Sequence, residues 1–387
     1  MGESTRARRG PQTRPLLSRE VPFLDLARIH ANLKDAILAD VGGLIDSGAF
    51  VNGPAVDEFE AAFAAYCGTR RAVGVSSGLD ALRLALQAGG VGPGDEVIVP
   101  ALTFVATLEA VAQTGARPVI VDVGEDDAAI DPRAVEAAIT ERTAAVVPVH
   151  LYGRLARMRA LENATRGRGV RIVEDACQAH GAAADRCGGE RGLAAAFSFY
   201  PGKNLGAFGD GGAIVTNDVD LAERAAALRH HGQRAKYVHE VEGWTARLDS
   251  IQALVLLRKL PLLDAWNAQR RLVAARYLEE LADVGDLTLP EAPEPAAHVW
   301  HLFVVQTAFP LELARFLEDR GIETARHYPD AVHLTPAYRH LGYSPGDFPV
   351  AERRARESLS LPIFPGMESA EIDQVIAGVR AYFGDDG

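Results

Sequence analysis

Short runs of apolar residues alternate with helical patterns between about residue 21 and residue 216. Most of the apolar runs are bounded by Gly, Pro or Asp, which is typical of strands buried on both faces of a sheet. Segments such as LDALRLALQAG between them carry the spacing of helices and end at glycine. This alternation predicts an α/β fold with a mostly parallel, doubly wound sheet. The predicted strands are 70–76, 95–100, 117–123, 143–150, 170–176, 194–200 and 211–217.

The pattern changes after Arg247. Residues 247–285 read as one long helix, or as two helices divided at Pro261, and a Pro-rich stretch follows them. The remaining pattern predicts a strand at 299–309 and helices at 311–321 and 369–383.

We therefore expect a large domain over 21–261 and a smaller α+β domain over 262–387. The basic, polar start over 1–20 predicts a disordered leader, because it has too few apolar residues to form a core. It also lacks the apolar core of a secretory signal. No apolar run is long enough for a membrane-spanning helix. Together these features favour a cytoplasmic protein.

Composition excludes further classes. A net charge of −12 over 387 residues argues against a broad nucleic-acid surface, which needs clustered positive charge. Three cysteines are too few for a disulfide framework in a chain of this length. Cys177, His180 and Cys187 fit no standard zinc spacing, so we expect buried thiols and no metal.

Three features follow the carboxyl ends of predicted strands, where open parallel sheets bind ligands. Ser77 and Gly78 open a helix and form either an anion site or an ordinary helix cap. Asp175 ends a buried strand, where it either caps a helix or meets a cation. Phe104 lies at a helix start and either packs into the core or stacks on an aromatic ligand.

The fourth feature is the stretch SFYPGKNLGAFGDGGA. Ser198 ends its strand, and Lys203 follows beyond a Pro-Gly turn. Such a lysine is either a solvated loop residue or an enclosed amine whose lowered pKa makes it a nucleophile. Pyridoxal 5′-phosphate (PLP) requires a lysine, an acid for its ring nitrogen and a phosphate site. Lys203, Asp175 and the Ser77–Leu79 turn would supply all three.

An ordered set of motifs carries a family resemblance over most of the chain. The chain resembles the DegT/DnrJ/StrS-type nucleotide-sugar aminotransferases, which are PLP enzymes of the aspartate-aminotransferase fold, known as fold type I. The matching motifs are VPFLDL, GAFVNGPAVDEFE, SSGLDALRLAL, GDEVIVPALTFVAT, VPVHLYG, VEDACQAHGA, SFYPGKNLGAFGDGGA, RLDSIQALVLLRKL and SLPIFPGM.

The resemblance implies a role for each matching cofactor residue. Lys203 would form the Schiff base and shuttle the proton, and Asp175 would pair with the pyridine nitrogen. Gln178 would reach the ring hydroxyl, and Phe104 would cover one ring face. The phosphate would be held by Ser77, Gly78, Leu79, Asp80 and Ser198.

Two positions depart from the family pattern. Thr245 stands where relatives commonly have an Asn that reaches the phosphate of the neighbouring subunit, and Asp210 replaces a Glu. The resemblance also places His327, Tyr328 and His333 on the sugar side of the site, although the histidines can equally be structural.

Cations for an anionic substrate are a separate expectation from the residues. Arg229, Lys236, Arg247 and Arg326 are the candidates, and each can equally be a solvated surface residue.

The implied activity is transfer of an amine from L-glutamate to a nucleotide-linked, dTDP-type keto-6-deoxyhexose, for secondary metabolites or surface glycans. The implied assembly is a homodimer with shared active sites. The form SGLDAL resembles that of 3-keto sugar aminotransferases, although C4 chemistry and cyclitol or aminobenzoate substrates stay open. A PLP-binding regulatory protein without turnover is the alternative of another class. A nicotinamide-dependent oxidoreductase is disfavoured because the glycine fingerprint is missing.

Overall fold

The computed structural model describes residues 20–182, 192–291, 294 and 297–384. The expected leader, apart from Glu20, and Cys187 lie outside the described residues. None of the helices in the described part is long and apolar enough to cross a bilayer. The same residues contain no group of three His, Cys, Asp or Glu side chains that could hold a metal ion.

A seven-stranded sheet organises the chain, as the apolar runs predict. The strand order is β1-β7-β6-β5-β4-β2-β3, and only β7 runs antiparallel to its neighbours. Each of the seven predicted runs contains one strand of this sheet. The strands are β1 Arg71–Val75, β2 Glu96–Pro100, β3 Arg117–Val121, β4 Thr143–Val146, β5 Arg171–Asp175, β6 Ala194–Ser198 and β7 Gly212–Thr216.

Helices cover both faces of this sheet, which confirms the doubly wound α/β prediction. The helices before the second sheet are α1 Leu26–His30, α2 Lys34–Ser47, α3 Pro54–Cys67, α4 Gly78–Ala88, α5 Ala106–Gln113, α6 Pro132–Ala138, α7 Met158–Thr165, α8 Val219–Leu228, α9 Ser250–Lys259 and α10 Leu263–Glu280. Apolar side chains of α4, α5 and α8 form one core with the sheet. On the other face, Phe59 and Phe63 of α3 pack against Phe197 and Phe199 of the sheet region, and α9 joins the same core.

The long apolar stretch after Arg247 forms two α-helices, α9 and α10. A single 3-10 turn over Leu260–Leu262 separates them and contains Pro261. Proline lacks a backbone N–H, so the division falls where the sequence predicts it.

A second core surrounds a two-stranded antiparallel sheet. The remaining elements are the hairpin strands β8 Gln233–Ala235 and β9 Val238–His239, the small-sheet strands β10 Phe303–Gln306 and β11 Ser358–Leu361, and helices α11 Pro310–Glu318, α12 Pro349–Glu357 and α13 Ser369–Tyr382. Strands β10 and β11 pack with α10, α11 and α13. Val21 joins this core, whereas Val332 and Phe348 pack on the core of the large sheet. Each core therefore contains residues from the part of the chain assigned to the other domain, and the domain boundary at 261/262 stays a prediction.

Candidate active site

A cavity of about 500 Å³ opens at the carboxyl-end edge of the large sheet. The ends of β1, β5 and β6 converge there, as parallel topology requires. Ten residues expected at a cofactor or sugar site line this cavity: Ser77, Gly78, Leu79, Phe104, Asp175, Gln178, Ser198, Lys203, His327 and Tyr328. Asp210 lines it as well.

The phosphate-binding turn is the N-terminus of α4. Ser77 caps this helix, and its side chain accepts a hydrogen bond from the Asp80 amide at 3.1 Å. A Cβ atom on Gly78 would lie 2.6 Å from Cβ of Ser198 and 2.8 Å from Sγ of Cys177. Only glycine therefore lets the helix N-terminus approach the end of β6. This edge combines free amides with the positive end of a helix dipole, which suits a phosphate.

The carboxylate of Asp175 is held in place by two donors. Thr107 Oγ1 donates to Oδ2 at 2.9 Å, and the amide of Cys177 donates to Oδ1 at 3.2 Å. Thr107 is 1% exposed, and Thr103 lies 2.8 Å from its hydroxyl. Since the single proton of Thr107 goes to Asp175, Thr103 donates to Thr107. Sequence reasoning missed this chain of hydroxyls, although Thr107 follows Phe104 by one helical turn.

Lys203 lies in the turn after β6, where its amide donates to the Tyr200 carbonyl at 2.9 Å. Burial lowers the pKa of its amine, while Cys177 and Asp175 act in the opposite direction. Lys203 is only partly exposed and lines the cavity, which favours the enclosed amine over a solvated loop lysine. A larger share of the amine is unprotonated than for a lysine in water, which is the state that attacks a carbonyl.

Aromatic and amide groups form the wall opposite Lys203. The ring of Phe104 lies 5.5 Å from the ring of Tyr328, and about half of the Phe104 side chain is exposed. Gln178 donates to the Tyr328 hydroxyl at 2.9 Å and accepts from the Tyr152 amide at 2.6 Å. These bonds fix the orientation of the Gln178 amide.

His327 lies in the cavity as a neutral base. Its Nδ1 lies 2.8 Å from Oγ of Ser360, and its backbone carbonyl accepts from the Tyr152 hydroxyl. Burial, followed by the charge of Lys203, lowers the pKa of His327 to about 4. The imidazole is thus uncharged at neutral pH and can accept a hydrogen bond.

Four residues predicted for the site do not line this cavity: Asp80, Thr245, Arg247 and His333. The carboxylate of Asp80 pairs with Arg83 instead. Thr245 is exposed and lies 3.1 Å from His231 Nε2, and Arg247 donates to His230 Nδ1 at 3.1 Å. His333 is 2% exposed, lies 3.1 Å from Glu352 and packs edge-on against Phe348. His333 therefore does not line the cavity of its own chain, because its ring is enclosed between α12 and the preceding loop, and its sugar-side role stays a prediction.

Two of the four candidate cations are bound to carboxylate or carbonyl oxygens of the chain, whereas the side chain of Arg247 donates to a histidine nitrogen. Arg229 pairs with Glu60 and donates to the Gly74 carbonyl. Arg326 donates to the carbonyls of Ala355 and Arg356 at 2.6 and 2.9 Å, at the end of α12. Lys236 and Arg247 are therefore the better candidates for an external anion.

The residues present fit PLP. An amine of lowered pKa, a fixed carboxylate, a helix N-terminus and an aromatic wall share one cavity of suitable volume. Alignment of these groups requires the close approach that Gly78 permits. The structure thus brings together the three groups that the sequence pattern predicts for PLP.

Comparison with known proteins gives the class. The profile of the DegT/DnrJ/EryC1/StrS aminotransferase family matches residues 31–380, so the chain belongs to this family. It is an aminotransferase, and enzymes of this family depend on PLP.

The similar proteins are sugar transaminases and proteins of antibiotic biosynthesis. A dTDP-3-amino-3,4,6-trideoxy-alpha-D-glucose transaminase of Streptomyces venezuelae is 51% identical over 363 residues, which are 94% of this chain and 96% of that protein. The erythromycin biosynthesis sensory transduction protein EryC1 of Saccharopolyspora erythraea is also 51% identical, over 94% of this chain and 99% of that protein. The crystal structure of S. venezuelae DesV matches with a TM-score of 0.91 and 50% identity, over 94% of this chain and 99% of that one.

Proposed function

We propose that this chain transfers the amine of L-glutamate to C3 of a dTDP-linked 3-keto-6-deoxyhexose. The observation that carries the proposal is the enclosed pair of Lys203 and Asp175 in a chain 51% identical to a dTDP-3-aminosugar transaminase over almost its whole length. The amine position in the name of that relative also favours C3 over C4.

The residues of this chain divide the work as follows. PLP, when bound, supplies an electron sink for a carbanion at the substrate carbon. Lys203 would hold the cofactor and then carry the proton taken from the amino acid Cα. Asp175, which accepts a hydrogen bond from Thr107, would pair with the pyridine nitrogen. The α4 N-terminus and Ser198 would hold the phosphate, and Phe104 would cover the ring.

The second half of the reaction reverses these proton movements on the keto sugar. Lys203 would again carry the proton, this time delivering it to C3 of the sugar. His327 and Tyr328 lie on the wall where the sugar would enter. Their neutral side chains suit hydrogen bonds to sugar hydroxyls, because neither adds a charge to the cavity.

The enzyme we propose is a homodimer with shared active sites. Phe50, Tyr200, Phe208 and Ile251 are exposed, by 52%, 59%, 47% and 39% respectively. The Phe50 carbonyl bonds to Ser250, and the Phe208 amide to Gln252, so these side chains belong to one surface beside the Lys203 loop. An apolar surface beside the site supports a partner subunit there.

The hairpin formed by β8 and β9 would serve the neighbouring site in that dimer. Thr245 would replace the usual asparagine at the cofactor phosphate, and Lys236 and Arg247 would meet the substrate diphosphate. Their position outside the cavity of their own chain supports this assignment. The free thiols of Cys67 and Cys177 support a reducing, cytoplasmic setting.

The proposal is tested with a panel of dTDP-linked 3-keto and 4-keto sugars. We expect purified enzyme with L-glutamate to give 2-oxoglutarate and a 3-amino sugar, identified by mass and NMR. Turnover of 4-keto sugars alone would overturn the C3 assignment. A product only from cyclitol or aminobenzoate precursors would replace the sugar substrate.

A regulatory protein without turnover is the second candidate, because one relative is named as a sensory transduction protein. The same assay decides between the two. Cofactor binding without amine transfer to any keto sugar would favour regulation, whereas the enclosed amine of Lys203 favours the enzyme.

A further inference from the structure

His301 is a cavity residue to which neither the sequence pattern nor the family resemblance assigned a role. It lies just before β10 and lines the same cavity as Lys203. Two hydrogen bonds fix its backbone, because the buried guanidinium of Arg270 donates to the carbonyls of Trp300 and His301, each at 3.2 Å. The backbone that carries the imidazole is therefore held in place.

A network of buried side-chain amides sets the tautomer of this imidazole. Asn204 follows Lys203 in the chain and is 4% exposed. Its Nδ2 donates to the carbonyl of Val299 at 3.0 Å and to Oδ1 of Asn267 at 2.8 Å. Asn267 in turn donates to the carbonyl of His180 at 2.8 Å. Because carbonyls only accept, neither amide can be flipped without losing these bonds.

The orientation of Asn204 decides which imidazole nitrogen carries the proton. Oδ1 of Asn204 lies 3.1 Å from Nδ1 of His301, and an amide oxygen can only accept. Nδ1 of His301 is thus the donor, and Nε2 keeps its lone pair. Since Nδ1 is engaged by Asn204, Nε2 is the nitrogen left for the cavity.

The surroundings keep the ring uncharged. Burial lowers the pKa of His301 well below its ordinary value, and the neighbouring charges of Lys203 and Arg270 act in the same direction, as do His327 and His180. A neutral imidazole beside an amine is a hydrogen-bond acceptor.

Building on the proposed function, we propose that His301 is a positioning residue for Lys203. Its Nε2 lone pair accepts a hydrogen bond from the Lys203 amine while that amine carries the proton during the half-reaction; the two side chains line the same cavity. This bond keeps the amine turned toward the substrate carbon. His301 itself gains and loses no proton, and Lys203 remains the base.

The test separates proton transfer from cofactor binding. The His301→Leu variant removes the acceptor, whereas His301→Gln replaces it with an amide oxygen. The amino-acid half-reaction is followed by stopped-flow absorbance with L-glutamate and with L-glutamate deuterated at Cα. We expect His301→Leu to slow this step by about 10- to 100-fold, as misplacement of a reacting group does, and to raise the deuterium isotope effect.

The controls exclude a merely structural role. The visible band of the lysine-bound cofactor and the cofactor Kd are expected to stay unchanged in His301→Leu, and His301→Gln is expected to recover part of the rate. His298→Gln alters a buried imidazole that is stacked on Trp300 outside this cavity. It is expected to leave the isotope effect unchanged. If His301→Leu does not fold, the shorter polar variant His301→Asn takes its place.

Two outcomes are distinguishable failures. If His301→Leu keeps the wild-type rate and isotope effect in the glutamate half-reaction, the role of His301 is overturned and the proposed function stays intact. A wild-type enzyme that binds no cofactor at Lys203, or does not react with glutamate, overturns the proposed function and this inference together.

Discussion

Lys203 and Asp175 are enclosed at the edge of the large sheet, whereas Lys236 is exposed in the turn between β8 and β9 and Arg247 is partly exposed beside the end of β1. The first pair is fixed by strand ends, a glycine contact and buried hydroxyls. The second pair has no such enclosure, and neither residue lines the cavity of its own chain. In the dimer that we propose, one chain supplies most of its cofactor site, while the contacts to the substrate diphosphate come from the partner subunit. Substitutions in the first pair and in the second pair should therefore change different kinetic constants.

The largest effect is expected at Lys203. Lys203→Ala removes both the cofactor anchor and the base, so turnover should fall by about 10³-fold or more. The steady-state rate with the keto sugar and glutamate measures this loss. Lys259→Met is a matched control, because Lys259 is a buried lysine bonded to His30 and the Gly206 carbonyl outside the cavity. A Lys203→Ala enzyme with more than a tenth of wild-type activity would contradict the assignment.

Asp175→Asn tests the other half of the enclosed pair. The amide cannot neutralise a protonated pyridine nitrogen, so we expect turnover to drop by about 10²-fold, with the loss in kcat rather than in KM for the sugar. Steady-state kinetics with each substrate varied in turn gives the split. An unchanged kcat would show that Asp175 does not contact the cofactor ring.

Thr107→Val tests the support of Asp175. The isosteric change removes one hydrogen bond to a charged group, which is about 1.5–3 kcal/mol, or roughly a 10- to 100-fold loss of kcat. Thr107→Ser keeps the donor and should retain most of the activity. Equal activity of the Val and Ser variants would mean that the hydroxyl does not orient the carboxylate.

Arg247→Ala and Lys236→Ala test the proposed contacts to the substrate diphosphate. We expect KM for the dTDP-sugar to rise by about 10-fold, because one charge-assisted contact to the diphosphate is lost. The glutamate half-reaction should keep its rate. The effect should shrink at high ionic strength, because exposed charges are screened by salt. A slower glutamate half-reaction in these variants would place the residues at the cofactor instead.

The smallest kinetic effect is expected at His333. Its ring is enclosed beside Glu352, so His333→Gln should lower the free energy of unfolding by about 1–2 kcal/mol without changing KM for the sugar. Denaturant unfolding and steady-state kinetics check the two parts. A raised KM with unchanged stability would support the sugar-side role that the family resemblance implies.

The sequence predicts the positions of Lys203 and Asp175 better than those of Lys236 and Arg247, for a physical reason. Apolar runs predict strands that are buried on both faces. Asp175 and Lys203 lie at or after the carboxyl ends of two such strands, so they lie at the same edge of the large sheet. The hairpin of β8 and β9 has no apolar period to reveal it. His301 and Asn204 act through side-chain geometry between segments almost a hundred residues apart, which no local pattern encodes.

Two histidines predicted from the resemblance have different surroundings. His327 and His333 lie six positions apart in one segment, yet only His327 lines the cavity. A motif fixes the order of residues along the chain, whereas the packing of α12 decides which histidine is enclosed.

Borohydride reduction followed by peptide mapping tests the central claim most directly. The purified protein loaded with PLP is reduced, digested and analysed by mass spectrometry. The account predicts loss of the visible band and one modified peptide, carrying the reduced cofactor on Lys203. A protein without a visible band, or a cofactor attached to Lys259 or another lysine, would contradict it.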